Sequence, residues 1–302
     1  MIDVEATLKP KTAGSMKAHG LNADLHSHSS VSDGTLPPAT LARRARDNGV
    51  GLWALTDHDE LAGQREARDA AGQLGLPYLS GVEVSVSFAG STVHIVGLGV
   101  DIDDSALHDG LRATRAGRAA RAQAMGDALA QAGIAGAFDG ALRHAGNPAL
   151  VSRTHFARFL VESGVCRDTQ EVFRNYLVRG RPGYVAHRWA SLADAVRWIT
   201  QAGGVAIVAH PGRYRFTANE EAALFAEFKA HGGRGVEVLT GSHSPADAVK
   251  YAALAQAEGL LASRGSDFHA PGESRVDLGR LPGLPGTLAP VWDALRERVQ
   301  QP

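Results

Sequence analysis

Seven short apolar runs, most of them separated by helical stretches, constrain this chain more than any other feature. They cover residues 22–26, 51–56, 77–84, 93–98, 205–209, 235–239 and 260–263. Each is bounded by glycine or polar residues, the pattern of a buried strand. Between the first two lies P-A-T-L-A-R-R-A-R-D-N-G, which reads as a helix with Pro38 in its first turn and Gly49 as its stop. Such alternation predicts a mainly parallel sheet with crossover helices. One exception is expected: S-F-A-G-S at 87–91 reads as a hairpin turn, so its two flanking strands should run antiparallel. Seven strands suit a closed or nearly closed α/β barrel. Neither a G-x-G-x-x-G after the first strand nor a G-x-x-x-x-G-K-[S/T] occurs, which argues against an open nucleotide-binding sheet.

The 302 residues divide unevenly around this pattern. Residues 1–20 are polar and non-periodic, and a flexible N-terminal extension is expected there. Residues 21–100 and 191–302 carry the strands and form the two parts of the barrel. Residues 101–190 are helix-rich, with alanine, arginine and leucine dominating 107–132. They are expected to form a helical insertion over the mouth of the barrel, the alternative being a plain helical layer on its wall. The formal net charge of −1 gives no global field for nucleic acid or an anionic membrane, so anion binding must come from local charge. Cys166 is the single cysteine, which rules out an internal disulfide and a thiolate cluster and fits a reducing cytoplasm. No apolar signal core opens the sequence, and the longest apolar run, G-G-V-A-I-V-A, is far too short to span a bilayer. A cytoplasmic protein with no membrane and no obligate protein partner is expected.

The chemistry lies at the strand ends. The first strand leads into A-D-L-H-S-H-S, where His26 and His28 at i and i+2 share a face. Asp33 follows in V-S-D-G-T. The second strand runs into T-D-H-D with Asp57, His58 and Asp59, the third carries Glu83, and its neighbour carries His94. The fifth ends at His210, and the last ends with Asp267 and His269, again at i and i+2. Each has an ordinary explanation alone: His94 as a core histidine, Asp33 as a turn residue, Asp59 as a helix cap. Together those explanations fail, because burying nine ionisable groups without a cation would be very costly. Reactive residues of α/β barrels converge at strand C-termini. Imidazole and carboxylate donors without thiolate suit Mn²⁺, Fe²⁺ or Zn²⁺. Nine donors exceed what one ion takes and suit two or three, with a carboxylate such as Glu83 able to bridge. A water shared by two ions ionises near neutral pH, and paired ions clamp the attacking and leaving oxygens of a phosphoryl group. Phosphoester hydrolysis by that bridging hydroxide fits best.

The successive motifs D-L-H-S-H-S, T-D-H-D, G-V-E-V, A-H-P-G and S-D-F-H resemble those of the polymerase and histidinol phosphatase (PHP) family, in order and spacing, from Asp24 to His269. The likeness is strongest to a bacterial branch of 3′,5′-nucleoside bisphosphate phosphatases, and extends to S-R-T-H-F-A, P-G-Y-V and G-S-H-S. It implies a distorted (β/α)7 barrel with a helical insertion and a trinuclear site, Mn²⁺ being the first choice of ion. It also implies one ion on His26, His28, Glu83 and Asp267, a second on Glu83, His94 and His210, and a third on Asp33, His58 and His269. Relatives that place histidine at the Asp33 position mark it as a point of variation. For substrate, Arg153 and His155 are candidates for a phosphate clamp, with Ser152 as helix cap and a solvated Arg153 as the alternative. Ser242 and His243 before a helix are candidates for a further phosphate contact, and Arg181 and Tyr184 for base or ribose. Glu83, Asp57 and His210 are the candidate catalytic residues, Asp57 as a source of the leaving-group proton. The expected reaction removes the 3′-phosphate of a small nucleotide such as pAp. The alternatives are 5′-to-3′ cleavage of short RNA or DNA oligonucleotides, histidinol phosphate hydrolysis, and a non-catalytic structural module.

Overall fold

A computed structural model of the chain describes residues 20–302; the expected N-terminal extension lies outside the described residues except for Gly20. All seven expected strands form: β1 (Ala23–Asp24), β2 (Leu52–Leu55), β3 (Tyr78–Phe88), β4 (Ser91–Leu98), β5 (Val205–Val208), β6 (Gly235–Thr240) and β7 (Leu261–Gly265). They hydrogen-bond in sequence order, β1 to β7, in one sheet. Neighbours are parallel except at β4, which runs antiparallel to both β3 and β5. The β3–β4 hairpin turns on Ala89 and Gly90, both at positive φ (47° and 70°), the turn whose twist matches the flanking strands. Beyond the ends of β1 and β7 the two chain segments meet: Leu25 N–H donates to Arg264 O, His28 N–H to Phe268 O and Asp267 N–H to His26 O. Gly265 permits this approach, since a Cβ there would lie 2.2 Å from that of His26. The sheet is thus nearly closed as a barrel.

Helices α1 (Pro38–Asp47) and α2 (Gln64–Gln73) follow β1 and β2. The first ends as the sequence predicts: Gly49 stands at φ 79° and Val50 N–H reaches back to Ala45 O. Between β4 and β5 the chain is helical: α3 (Ser105–Arg115), α4 (Arg118–Gln131), α5 (Ala137–His144), α6 (Arg153–Glu162), α7 (Thr169–Val172) and a wide π turn at Phe173–Leu177, then α8 (Leu192–Gln201). Helices α9 (Ala218–Ala230) and α10 (Pro245–Glu258) complete the outer layer. The alanine-rich stretch 107–132 is two helices, broken at Gly117, where a Cβ would lie 2.3 Å from the His187 ring. The main core fills the barrel and the space beneath its helices, with Val82, Val84, Ile95, Ile207 and Val236 inaccessible or nearly so. A separate apolar cluster of Met125, Leu129, Phe156, Leu160, Val172 and Leu177 holds α4 to α7 and the π turn together. That core of its own lets the helical segment keep its shape while it presents polar residues to the barrel.

A candidate metal centre at the strand ends

Glu83 is the hub of the site. Its side chain and that of Ser85 share one face of β3, and His94 is paired directly across from Ser85 on β4. His94 Nδ1 and His210 Nε2 both lie 2.9 Å from Glu83 Oε1. His58 Nδ1 lies 2.9 Å, His28 Nε2 3.2 Å and His26 Nε2 3.3 Å from Oε2. Asp267 Oδ1 stands 3.4 Å from His28 Nε2 and 3.6 Å from His26 Nε2. Asp33 Oδ1 stands 3.3 Å from His269 Nε2 and 3.8 Å from His58 Nε2. All nine residues singled out from the sequence are therefore brought together at one end of the barrel.

A metal centre fits this arrangement better than a hydrogen-bonded cluster does. Buried His28 Nδ1, Asp33 Oδ1, His58 Nδ1, Glu83 Oε2, His94 Nδ1 and His210 Nδ1 have no hydrogen-bond partner. Two of the 2.9 Å approaches to Glu83, from His58 and His94, thus lack hydrogen-bond alignment. Four overlapping groups have donor atoms all within 4.8 Å of one another: His28, Asp33, His58, His269; His26, Glu83, His210; His26, His28, Asp267; and His58, Glu83, His94. Burial alone would raise the Glu83 carboxyl, but the imidazoles of His94, His58 and His26 outweigh it and hold the group well below the usual carboxylate range. Asp33 and Asp267 are likewise held ionised against burial by neighbouring histidines. Burial pushes His210 down to about 3. Ionised carboxylates beside a neutral imidazole such as His210 are the protonation states that metal binding requires.

A supporting layer aims these donors. The Glu237 carboxylate accepts from His26 Nδ1 at 2.8 Å and from the His210 backbone N–H at 2.6 Å. With its proton fixed on Nδ1, His26 presents Nε2 to the cluster. His269 Nδ1 is bonded to the Asp267 carbonyl at 2.9 Å, freeing its Nε2 in the same way. Apart from the hairpin's Ala89, the non-glycine residues at positive φ among the described residues are Asp59, His210 and Asp267, so backbone strain concentrates at the site.

The structure separates the remaining expected residues. Asp57 is 1 % exposed, and its oxygens accept from Ser29 N–H, Ser29 Oγ and Ser32 Oγ. It braces the loop that carries Asp33 and does not line the cavity, so the expectation that it delivers a proton is corrected. Asp59 caps no helix: α2 starts at Gln64, while Asp59 accepts from Ser85 N–H and pairs with buried Arg118. His155 is fully buried and completes a capping box, its Nδ1 accepting from Ser152 N–H at 3.0 Å. It lines neither cavity, so of the expected clamp of Arg153 with His155 only Arg153 reaches the metal cavity. Arg153 does line the cavity at the metal centre, which has a volume of about 80 Å³, and no carboxylate pairs with it among the described residues. Ser152 caps its helix and donates to Asp33 Oδ2 at 3.0 Å. His243 uses both ring nitrogens locally, Nδ1 with Val238 O and Nε2 accepting from Gly212 N–H, and stacks on Tyr251. It is a loop brace, and the helix behind it is capped by Ser244. Ser242 lines an adjoining cavity of about 580 Å³. Arg181 is exposed and Tyr184 half-buried; neither lines either cavity.

Several functional neighbours were not anticipated. Glu237 is one, Arg213 another: its Nη1 donates to Asp267 Oδ2 at 2.8 Å. Arg118 and Arg121 of α4 also line the metal cavity. Each had a signal. Glu237 sits in a second G-V-E-V identical to that around Glu83, and R-A-A-R puts two arginines at i and i+3 on one helical face.

Comparison with known proteins agrees with this architecture. Residues 24–105 match the PHP domain family. The chain is 53% identical over 281 residues to a 3′,5′-nucleoside bisphosphate phosphatase of Chromobacterium violaceum, covering 93% of this chain and 99% of that one. It is 42% identical over 271 residues to the 5′-3′ exoribonuclease Rnm of Salmonella typhimurium, covering 89% and 92% respectively. A solved structure of an amidohydrolase from Chromobacterium violaceum, with bound sulfate and no metal, superposes with a TM-score of 0.90 at 52% identity, covering 93% of this chain and 98% of that one.

Proposed function

The chain belongs to the PHP family, and within it we propose that this phosphoric ester hydrolase removes the 3′-phosphate of 3′,5′-nucleoside bisphosphates such as pAp. The observation that carries the reading is the convergence of three carboxylates and six imidazoles, with unpartnered donor atoms, at one end of the barrel, beside a cavity lined by Arg153, which has no carboxylate partner among the described residues. His26, His28, Asp33, His58, Glu83, His94, His210, Asp267 and His269 would hold two or three divalent ions, Mn²⁺ first and Fe²⁺ or Zn²⁺ next. Bound ions would activate water and neutralise the charge that develops on the phosphoryl oxygens. Glu237 keeps the proton on His26 Nδ1 and thereby sets the direction of that ring. Arg153 offers its guanidinium fork to the non-bridging oxygens, and Arg213, tied to Asp267, lines the same cavity. Asp57, through Ser29 and Ser32, keeps Asp33 in place. Helices α4 to α7 supply Arg118, Arg121, Ser152, Arg153 and Thr154 to the cavity, and act as the substrate-recognition module of the barrel.

A second reading has its own support. The adjoining cavity of about 580 Å³ shares Thr154, Phe173, Arg213, Asp267 and His269 with the metal cavity and continues past Arg215 and Arg275. That is room for further nucleotides of a short RNA or DNA, the kind of substrate the exoribonuclease relative is named for. No helix among the described residues is long and apolar enough to cross a membrane. Phosphate release measured on pAp, 3′-AMP, 5′-AMP and histidinol phosphate, with mononucleotide release measured on a 5′-phosphorylated pentanucleotide, tests the assignment. The largest kcat/KM is expected for pAp; a larger value for histidinol phosphate would overturn it.

A further inference from the structure

Asp33, His58 and His269 lean on the helical segment between β4 and β5, and the other donors do not. Asp33 is tied to it directly: the Ser152 hydroxyl, at the start of α6, donates to its Oδ2 at 3.0 Å. The loop that carries Asp33 also meets the chain ahead of α6, since a Cβ at Gly146 would lie 2.2 Å from the Ser30 carbonyl oxygen. His58 is tied through the two residues that follow it. Arg118 pairs with the Asp59 carboxylate, Arg115 donates to the Asp59 carbonyl, and Arg115 also lies 3.3 Å from the Glu60 carboxylate. His269 is tied through its own loop. Its backbone N–H donates to Ser274 Oγ at 2.8 Å, and the adjacent Glu273 accepts from Arg158 of α6. That contact is two-pronged, Nε to Oε1 at 3.0 Å and Nη2 to Oε2 at 2.9 Å, which fixes direction as well as distance. Among the described residues, no hydrogen bond or ion pair joins His26, His28, Glu83, His94, His210 or Asp267 to residues 101–190. Their supports lie elsewhere: Glu237 for His26 and His210, Tyr214 for the backbone of His94, and Arg213 for Asp267.

The three donors so tied, together with His28, make up one of the four groups whose donor atoms lie within 4.8 Å of one another. We propose that the helical segment positions this one group, with Arg158, Glu273 and Asp59 as positioning residues, so that the group takes a divalent ion at full affinity only while the segment is docked. This rests on the reading of the nine donors as a metal centre. Asp33, His58 and His269 stand on three separate loops, after β1, β2 and β7. Loops brought to bonding distance only by the ion would have to be ordered at the expense of its affinity; partners that hold them beforehand remove that cost. Helices α4 and α6, with the last turn of α3, reach all three loops. The remaining donors are held without the segment and keep their arrangement when it loosens. The coupling is reciprocal: an ion in this group must hold the segment as firmly as the segment holds the ion. The insertion is thus a structural part of the metal centre as well as a wall of its cavity.

Equilibrium dialysis of the chelator-stripped full chain against Mn²⁺ tests this without turnover. Arg158→Met keeps the buried stem and removes both bonds to Glu273. One equivalent of Mn²⁺ should then bind roughly 10- to 100-fold more weakly than in wild type, the usual cost of losing a partner behind a ligand. The other equivalents should hold their affinity. Asp59→Asn, which weakens the tie behind His58, should loosen the same equivalent. In an Asp33→Ala background, where the group is already broken, Arg158→Met should add no further loss. Amide exchange reads the coupling from the other side: Mn²⁺ should slow exchange in α4 and α6 of wild type, and slow it less in Arg158→Met. Where Arg158→Met does not fold, Glu273→Gln carries the comparison, because it neutralises the same pair from its more exposed partner. A Mn²⁺ titration unchanged by loss of this pair would overturn the positioning role. So would an equal weakening of every equivalent, which is what a general loosening of the fold produces, or a further loss in the Asp33→Ala background. Wild type that binds no Mn²⁺ would overturn the proposed function and this inference together; wild type that binds it, with variants that bind it equally well, would overturn this inference alone.

Discussion

Replacing Glu237 with glutamine removes one negative charge from the layer behind the ligands while keeping the side chain's volume. Glu237 now accepts two hydrogen bonds, from His26 Nδ1 and from His210 N–H. A glutamine has one acceptor oxygen and one NH₂ group, so it can satisfy only one of these donors. If its oxygen stays with His210, the NH₂ faces His26 Nδ1 and favours the tautomer with its proton on Nε2. That proton then points at Glu83 Oε2 and Asp267 Oδ1, where a metal ion should be. If its oxygen goes to His26, the buried His210 N–H is orphaned at a residue already held at φ 27°. Either way metal affinity should fall by roughly 10- to 100-fold, about 1.4–2.8 kcal/mol, the usual cost of losing such a partner. The assay is activity against buffered free Mn²⁺, with bound metal measured in parallel. Half-saturation should move to higher Mn²⁺, with kcat recovering largely at saturation. An unchanged titration curve would refute the reasoning that Glu237 directs His26.

Two further outcomes follow from residues the structure reassigns. Arg153→Ala should raise KM for pAp about 10-fold or more with little change in thermal stability, because its guanidinium serves the cavity and no ion pair of the fold depends on it; an unchanged KM would remove it from substrate binding. His155 is held neutral, burial pushing it down to about 4. The unfolded chain then binds the extra proton between about pH 6.5 and 4, so stability falls as pH drops through that window. From pH 7 to pH 5 this costs about 2 kcal/mol. Urea midpoints at the two pH values should differ less in His155→Gln than in wild type, and equal differences would exclude the linkage.

The barrel was legible because each strand is both apolar and abruptly ended, and the ligands because they repeat at those ends. His26 with His28, and Asp267 with His269, needed only the two-residue period of extended chain. What escaped depends on partners far away in sequence. Asp59 resembles a helix cap until Arg118 is placed beside it, 59 positions on. His155 resembles a phosphate-binding cation, but a histidine at the third position of a helix can equally close the cap through a neutral nitrogen. Glu237 lies within a strand like Glu83, in the same tetrapeptide; only the closed barrel distinguishes the one that faces the cluster centre from the one behind His26. The helix formers that dominate 107–132 do not show where the helix breaks; it breaks at Gly117, whose bare Cα admits the His187 ring.

If this cluster of histidines and carboxylates holds catalytic divalent ions, turnover must follow their occupancy. Phosphate release from pAp by chain stripped with chelator and then titrated with Mn²⁺, with bound metal counted at each point, measures this. Release from the stripped chain should be negligible and should rise to a plateau at two or three ions per chain. Full activity in a stripped chain with no bound metal would contradict it.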